Sequence, residues 1–574
     1  MKNKRNTIAL SIIAFITAVA VAVIFLVGFG DLSKGDDLTD DKEVTEKQDT
    51  DVDKENDNSS DNHNNDEDED EGNEGIFEWY DHAAAPTQEE YGALQNGDTF
   101  YTPDGTHLSF DDDRAVLYYD NVLIVYTFDD LSMTDIDEVA ELVDGETVGV
   151  VKGGIHSLQI KVAETNLAGL ESLCNTLMKD SRVMYACAEY PVQIMGTQNN
   201  NPWDEDDTER LGNEEYPGGS DWWAEAIGAY TAWEFSQYCQ EMNIGIVDTG
   251  VDDYHEDLYG KVAFIGENTV DSMDHGTHVA GIMSAYDNDI GIRGIADGLN
   301  LYSADLWTGA DSESSFHTIG ELMAIYNNMA YNDVRVINNS WGCYIFEEHM
   351  YKELMEGNAL PYDEWHETRV NDLVPTAEAT IVMMSQLIAS GNENMIFVQA
   401  AGNGYYGYYY EPADSITNGF FGSITEDVYN GLDGKIKTYL NENGITYDSI
   451  DERIYNVTAV NYYYDDDEIV YELSDFANYG DTVDICAPGS KIYSTINEYG
   501  EQTYAYFDGT SMAAPMVTAS IGFIWSLNPD MSVSRIREVM FDSSQREVSC
   551  EIDGKVYTYP MINVGIAAQI VAGD

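Results

Sequence analysis

From about residue 200 onward, apolar runs of strand length alternate with helical patterns, and this alternation constrains the fold more than any other feature of the chain. The runs Asn243–Val247, Asn300–Leu306, Val334–Asn338, Met395–Gln399, Ile454–Asn461 and Val483–Cys486 are rich in apolar residues, as strands covered on both faces are. Strands separated by helices predict an α/β fold, a doubly wound, mostly parallel sheet with helices on both faces. In such sheets chemistry gathers beyond the carboxyl ends of the strands, where several of these runs finish in small or polar residues.

A smaller unit precedes it. Between about 115 and 192 the pattern reads strand 115–127, helix 134–142, strands 147–151 and 157–162, helix 167–178 and strand 183–189. That order is βαββαβ, a ferredoxin-like α+β sandwich. Some 80 residues suffice for such a unit but give it only a modest core.

The first 75 residues do not fit a packed domain. Lys2, Lys4 and Arg5 precede an uncharged, largely apolar run from Thr7 to Phe29. As a helix it would cover ~34 Å, enough to cross the ~30 Å hydrocarbon core, with the basic end cytoplasmic and the remainder outside the cell. Gly28 and Gly30 before Asp31 also make the small-x-small pattern of a signal cleavage site, so residues 1–30 read as a signal-anchor or, alternatively, as a signal peptide whose removal leaves a secreted protein. Residues 31–75 hold 20 acidic and 4 basic side chains with almost no aliphatics, a composition that favours a disordered linker.

The whole 574-residue chain carries 26 Lys and Arg against 106 Asp and Glu, a formal charge of −80, which excludes nucleic acid as a main partner because the field repels phosphate. Hydrophobic residues at 43% exclude wholesale disorder. The six cysteines contain no CxxC spacing, so a structural zinc site has no support.

Three segments carry chemistry. The strand Asn243–Val247 delivers Asp248-Thr-Gly-Val251, which places a carboxylate at a strand's carboxyl end. Asp274-His-Gly-Thr-His-Val-Ala-Gly281 puts His275 near a helix start. Gly509-Thr-Ser-Met-Ala-Ala-Pro515 places Ser511 at the positive end of an apolar helix. Taken singly they also read as a turn Asp, a structural His and a helix cap. In this order, each with its own glycines, they are far more specific, and here the sequence resembles the subtilisin-like serine peptidases over about residues 200–570.

The resemblance implies that Asp248 orients His275, that His275 serves as general base and then acid, and that Ser511 is the acyl-forming nucleophile. It implies that Asn403, in Val398-Gln-Ala-Ala-Gly-Asn403, donates to the oxyanion. It further implies that Ile337-Asn-Asn-Ser-Trp-Gly342 pairs with an extended peptide, with Ser340, Trp341 and Gly342 as the substrate-binding residues. By position, Asp257, Tyr286, Asn288, Ile290 and Ile292 match a structural calcium site of relatives, the hard oxygen set that calcium prefers. The implied protein is a serine endopeptidase acting on polypeptides, made as a zymogen whose residues 76–200 form a prodomain acting as intramolecular inhibitor and folding aid, with 201–574 as the peptidase domain. The rival is a silent scaffold that binds proteins. Two connections, Cys343 to Ser390 and Tyr405 to Asp451, exceed ordinary loop lengths; the first holds helical patterns at 346–355 and 377–388 and predicts a helical insertion that narrows the cleft, and the second opens on the tyrosine cluster 405–410.

Overall fold

The computed structural model describes residues 90–194 and 222–573, apart from 95, 104, 112–113, 115, 267, 269–273, 289, 307–316, 344–361, 405–411, 466–467 and 499–500. The chain divides into residues 1–73 and 74–574, and all described residues belong to the second unit. The apolar run 7–29, the acidic segment 31–75, the helical pattern expected over 346–355 and the tyrosine cluster 405–410 lie outside the described residues.

The N-terminal part has strands β1 (Val122–Thr127), β2 (Glu146–Val151), β3 (Ser157–Lys161) and β4 (Val183–Ala188), with helices α1 (Met133–Glu141) and α2 (Leu167–Leu177). The sheet order is β2-β3-β1-β4 with antiparallel neighbours, the ferredoxin-like arrangement, extended past β2 by Thr99–Thr102 and Glu90–Ala93. Both helices start at side-chain caps, Ser132 accepting from the Asp135 N–H and Asn166 from the Gly169 N–H, which satisfies donors that a helix start leaves open. The single strand expected over 115–127 is two, Val116–Tyr119 and β1. The break falls at Asp120 and Asn121, whose carbonyls accept from Thr165 and Val162 N–H while the Asp120 carboxylate takes the His107 ring and Ser109 hydroxyl. Side-chain hydrogen bonds of Asp compete with the ladder and favour a turn there.

After β5 (Pro191–Ile194) the second part builds its sheet from β6 (Asn243–Asp248), β7 (Val262–Ile265), β8 (Asn300–Asp305), β9 (Val334–Asn339), β11 (Ile396–Ala400), β12 (Ile454–Asp465), β13 (Ile485–Pro488) and β14 (Lys555–Met561). A short strand β10 (Trp341–Cys343) lies off this sheet. The order is β7-β8-β6-β9-β11-β12-β13-β14, all parallel, with Arg546–Ile552 antiparallel at the edge and Glu468–Leu473 antiparallel on β12. The chain leaves β6 toward β8 on one side and returns to β9 on the other, so the carboxyl end of β6 is the topological switch point, where such folds bind ligands.

Helices α3 (His275–Ser284), α4 (Ile319–Tyr331), α5 (Val374–Ala389) and α6 (Thr510–Leu527) cover the sheet. Among the described residues α6 is the one helix long and apolar enough to cross a membrane, yet 94% of it is buried inside the protein. It is the central core helix, packed on β9, β11, β12, β13 and α3. The described parts of both long connections meet the N-terminal part. The Gln386 amide donates to Thr127 O and the Pro375 carbonyl accepts from Tyr185 Oη, while Lys435 Nζ donates to the carbonyls of Met178, Asp180 and Val183 along the turn from α2 into β4.

Candidate active site

Asp248 ends β6 fully buried, and its Oδ1 lies 2.6 Å from His275 Nδ1 while accepting from the Thr249 N–H at 2.8 Å. A ring nitrogen so close to a carboxylate carries the proton, which leaves Nε2 as the basic nitrogen. His275 opens α3, and the approach of this helix to the strand end depends on Gly276. A Cβ there would stand 2.3 Å from Thr249 O, and the Gly276 N–H donates to Thr249 Oγ1. Asp274, in the left-handed region at φ 59°, turns the chain into the helix and accepts from the Asn497 N–H. The hairpin Ile492–Glu498/Glu501–Phe507 braces the other side of α3, with Ser494 and Thr495 hydroxyls donating to His278 O and Thr277 O. His278 itself is structural. It is stacked on Phe507, its Nε2 faces the Ile492 and Ala505 carbonyls, and burial with His275 nearby pushes its pKa down to about 3.

Ser511 sits in the first turn of α6, which packs against α3. Its Oγ donates to Ser340 O at 3.3 Å, and the Ser340 hydroxyl returns a bond to Ser511 O at 3.0 Å. The second bond has a local cause. Pro515, four residues on, has no N–H to close the helical turn onto Ser511 O, so that carbonyl is open to a side-chain donor. Ser340 thus ties the first turn of α6 to the segment between β9 and β10.

Asn403 follows β11 in a loop whose flanking glycines adopt positive φ, 103° at Gly402 and 97° at Gly404. Its Oδ1 accepts from both the N–H and the hydroxyl of Thr510 at 2.9 Å, which fixes the amide so that Nδ2 faces away. A point at the ideal Cβ position of Gly509 is 3.4 Å from Asn403 Nδ2 and 3.5 Å from Ser511 N, so two donors converge beside Ser511. Buried Asn478 knits the loop, accepting from the Gly404 and Ala413 N–H groups and donating to Ala401 O. Neither Thr510 nor Asn478 was singled out by sequence reasoning. Thr510 adjoins Ser511 and could have been found as the neighbour that orients Asn403, whereas Asn478 carries no local signal.

The three-stranded ladder beside this site is β5 between His317–Thr318 and β10, antiparallel to both. Its register pairs Ile194 with Trp341, Gln193 with Gly342, and Val192 with both Cys343 and His317. The Trp341 ring is buried against Phe420 at 4.8 Å, so its backbone and not its indole meets the added strand. Arg369 of the first long connection donates to Cys343 O and to Thr417 O of the second, which holds β10 against both connections.

The residues matched to a calcium site also come together. Asp257 Oδ2 accepts from the Ile292 N–H and Tyr504 Oη at 3.0 Å, the Tyr286 N–H donates to Asp257 O, and Asn288 Oδ1 accepts from the Ile290 N–H. Asp257 Oδ1 is buried with no hydrogen-bond partner, an anionic oxygen that a hard cation would satisfy. No cluster of three or more His, Cys, Asp or Glu suited to a metal occurs among the described residues, so a cation here would depend on backbone and amide oxygens. The oxygens of Asp257 and Asn288 fit that chemistry.

Residues 240–556 match the family model Peptidase_S8, Subtilase family. Subtilisin DY of Bacillus licheniformis is 27% identical over 336 residues, 57% of this chain and 91% of that one. The thermophilic serine proteinase of Bacillus sp. (strain AK1) is 29% identical over 294 residues, 50% of this chain and 52% of the relative. Subtilisin-like protease 2 of Plasmodium falciparum is 25% identical over 334 residues, and the match spans only 19% of its length. Fervidolysin of Fervidobacterium pennivorans, a keratinolytic enzyme related to subtilisin, shares the fold at TM-score 0.50 and 19% identity, over 85% of this chain and 64% of that one. With the matched span enclosing the strand end at Asp248, the helix starts at His275 and Ser511, and the loop at Asn403, the chain belongs to the subtilase family of serine peptidases.

Proposed function

We propose that the protein is a serine endopeptidase made as a zymogen, and the observation that carries this reading is the 2.6 Å Asp248–His275 contact in the domain that presents Ser511. Asp248 holds the imidazole with its basic nitrogen outward. His275 takes the Ser511 proton as Oγ attacks the peptide carbonyl, and the resulting imidazolium is stabilised by the buried carboxylate. Asn403 Nδ2 and the Ser511 N–H stabilise the oxyanion. His275 then gives its proton to the leaving amine, and water, activated by the same base, releases the acyl group from Ser511. Polypeptide substrates would add as a strand along β10.

The pairing of β5 with β10 supports residues 76–200 as an intramolecular inhibitor lying where substrate would lie. Asp257 and Asn288 side chains with the carbonyls of Tyr286, Ile290 and Ile292 would hold a calcium ion, which would supply stability and no catalytic step. The apolar run 7–29 would anchor the protein in the cell membrane with the peptidase outside; cleavage after it would make the product secreted. Labelling with a fluorophosphonate probe tests the central reading. Covalent adduct on Ser511, absent from Ser511→Ala together with peptide turnover, is the expected result. An unlabelled wild-type protein free of its N-terminal part would favour the silent binding scaffold instead.

A further inference from the structure

The junction between the N-terminal part and the peptidase domain buries carboxylates. Glu189, just past β4, is fully buried, and its Oε1 accepts from the Ile319 and Gly320 N–H groups at 2.5 and 3.2 Å, across the junction at the start of α4. Its Oε2 accepts from Gln159 Nε2 at 3.1 Å, and that amide is clamped by Tyr101 N–H and O. The titratable groups around Glu189 are the Glu321 carboxylate, held 2.7 Å from His317 Nδ1, the phenols of Tyr119 and Tyr126, and the Cys187 thiol, the last three raised by burial. Neither a lysine nor an arginine is among them.

The pattern repeats along the same junction. Asp98 accepts from Asn327 Nδ2 of α4 at 2.6 Å, with Asp130 as a second negative group near it. Asp372, whose Oδ2 is buried without a hydrogen-bond partner, faces the Arg114–Glu171 pair and Asp111 of the N-terminal part, with Arg369 beside it. Glu378 of α5 adjoins the Tyr185 phenol and Asp433. We propose that this junction is a pH gate, in which acid holds the N-terminal part on the peptidase domain and rising pH loosens it, with Glu189 as the dominant group. This deepens the zymogen reading and rests on it, since the strand that the gate would free, β5, lies on β10.

The direction follows from linkage. Burial pushes Glu189 from 4.5 up to about 7, and Asp372 from 3.8 up to about 6, with Asp98 and Glu378 raised in the same sense. A group whose pKa is higher in the docked state binds more protons there, so its contribution to docking is complete below its undocked value and is lost as pH rises through the docked value. For Glu189 alone, passing from pH 6 to pH 8 weakens docking by about tenfold.

Amide hydrogen exchange on full-length Ser511→Ala, corrected for intrinsic rates, tests this at pH 6 and pH 8. The expected result is protection of Val192 to Ile194 and of Ile319 and Gly320 that falls by about tenfold at pH 8. Adding Glu189→Gln, which keeps one acceptor oxygen for the Ile319 and Gly320 N–H groups and removes the charge, should leave protection within about twofold at the two pH values. Equal protection of the parent at both pH values, or the same loss in the Gln variant, overturns the gate while leaving strand occupancy intact. No protection at either pH overturns the zymogen reading along with it. If Glu189→Gln does not fold, the pH midpoint of the parent decides, with loss centred near 7 expected and a flat profile overturning the proposal.

Discussion

Asp248 at the cleft and Glu189 at the N-terminal junction are both completely buried carboxylates, and their surroundings are opposite. Asp248 meets an imidazole at 2.6 Å that becomes cationic when it accepts a proton. Glu189 meets backbone N–H groups and an amide, and is pushed up to about 7. A buried carboxylate is driven toward neutrality where the cost of burial outweighs the hydrogen bonds that its neutral donors supply, and a counter-charge that forms beside it offsets that cost. The first arrangement suits catalysis and is best left rigid. The second suits a contact that must be made once and later released.

Asp248→Asn is the sharpest way to break the comparison. The substitution keeps the shape but lets the amide favour the wrong imidazole tautomer, and kcat should fall by about 10⁴ in a steady-state peptide assay with little change in the fold. A loss under tenfold would mean that Asp248 does no more electrostatic work than Glu189 does. Asn403→Ala comes next, with kcat expected to fall ~10²–10³ at unchanged KM, a magnitude taken from subtilisin itself, a relative of this chain. An equal fall in affinity would instead assign Asn403 to ground-state binding. Smallest is the effect at Asp257, a third buried carboxylate and the one whose Oδ1 lacks a partner. A cation bound only by the folded state stabilises it by mass action, so excess EGTA should lower the melting temperature by a few degrees relative to millimolar calcium, and Asp257→Ala should abolish that difference. Identical melting curves in both conditions would leave Asp257 as a carboxylate satisfied by Ile292 and Tyr504 alone.

Several boundaries show where sequence stops being readable. Asn243–Asp248 and Val334–Asn339 stand within a residue of their apolar runs, because strands buried on both faces are rich in apolar side chains and announce themselves. Residues 115–127 looked like one strand, since the break at Asp120 depends on His107, Ser109, Val162 and Thr165 arriving from elsewhere. The first long connection showed the helix that became α5 but not its destination, the helices of the second went unread, and only tertiary contact reveals that Gln386 and Lys435 reach the N-terminal part.

What the sequence determined by itself is the chemistry in its local frame: Asp248 at a strand end, His275 and Ser511 at helix starts, Asn403 between two glycines, each set by neighbours a few residues away. The tertiary structure decided what those neighbours cannot. Thr510 turns the Asn403 amide, Asn478 holds its loop, Ser340 takes the carbonyl that Pro515 leaves open, and Glu189 meets Ile319 across 130 positions of chain. Such partners are joined by hydrogen bonds between segments remote in sequence. The donors and acceptors of a single residue type are too common for any one-dimensional pattern to say which pair the folded chain will bring within 3 Å.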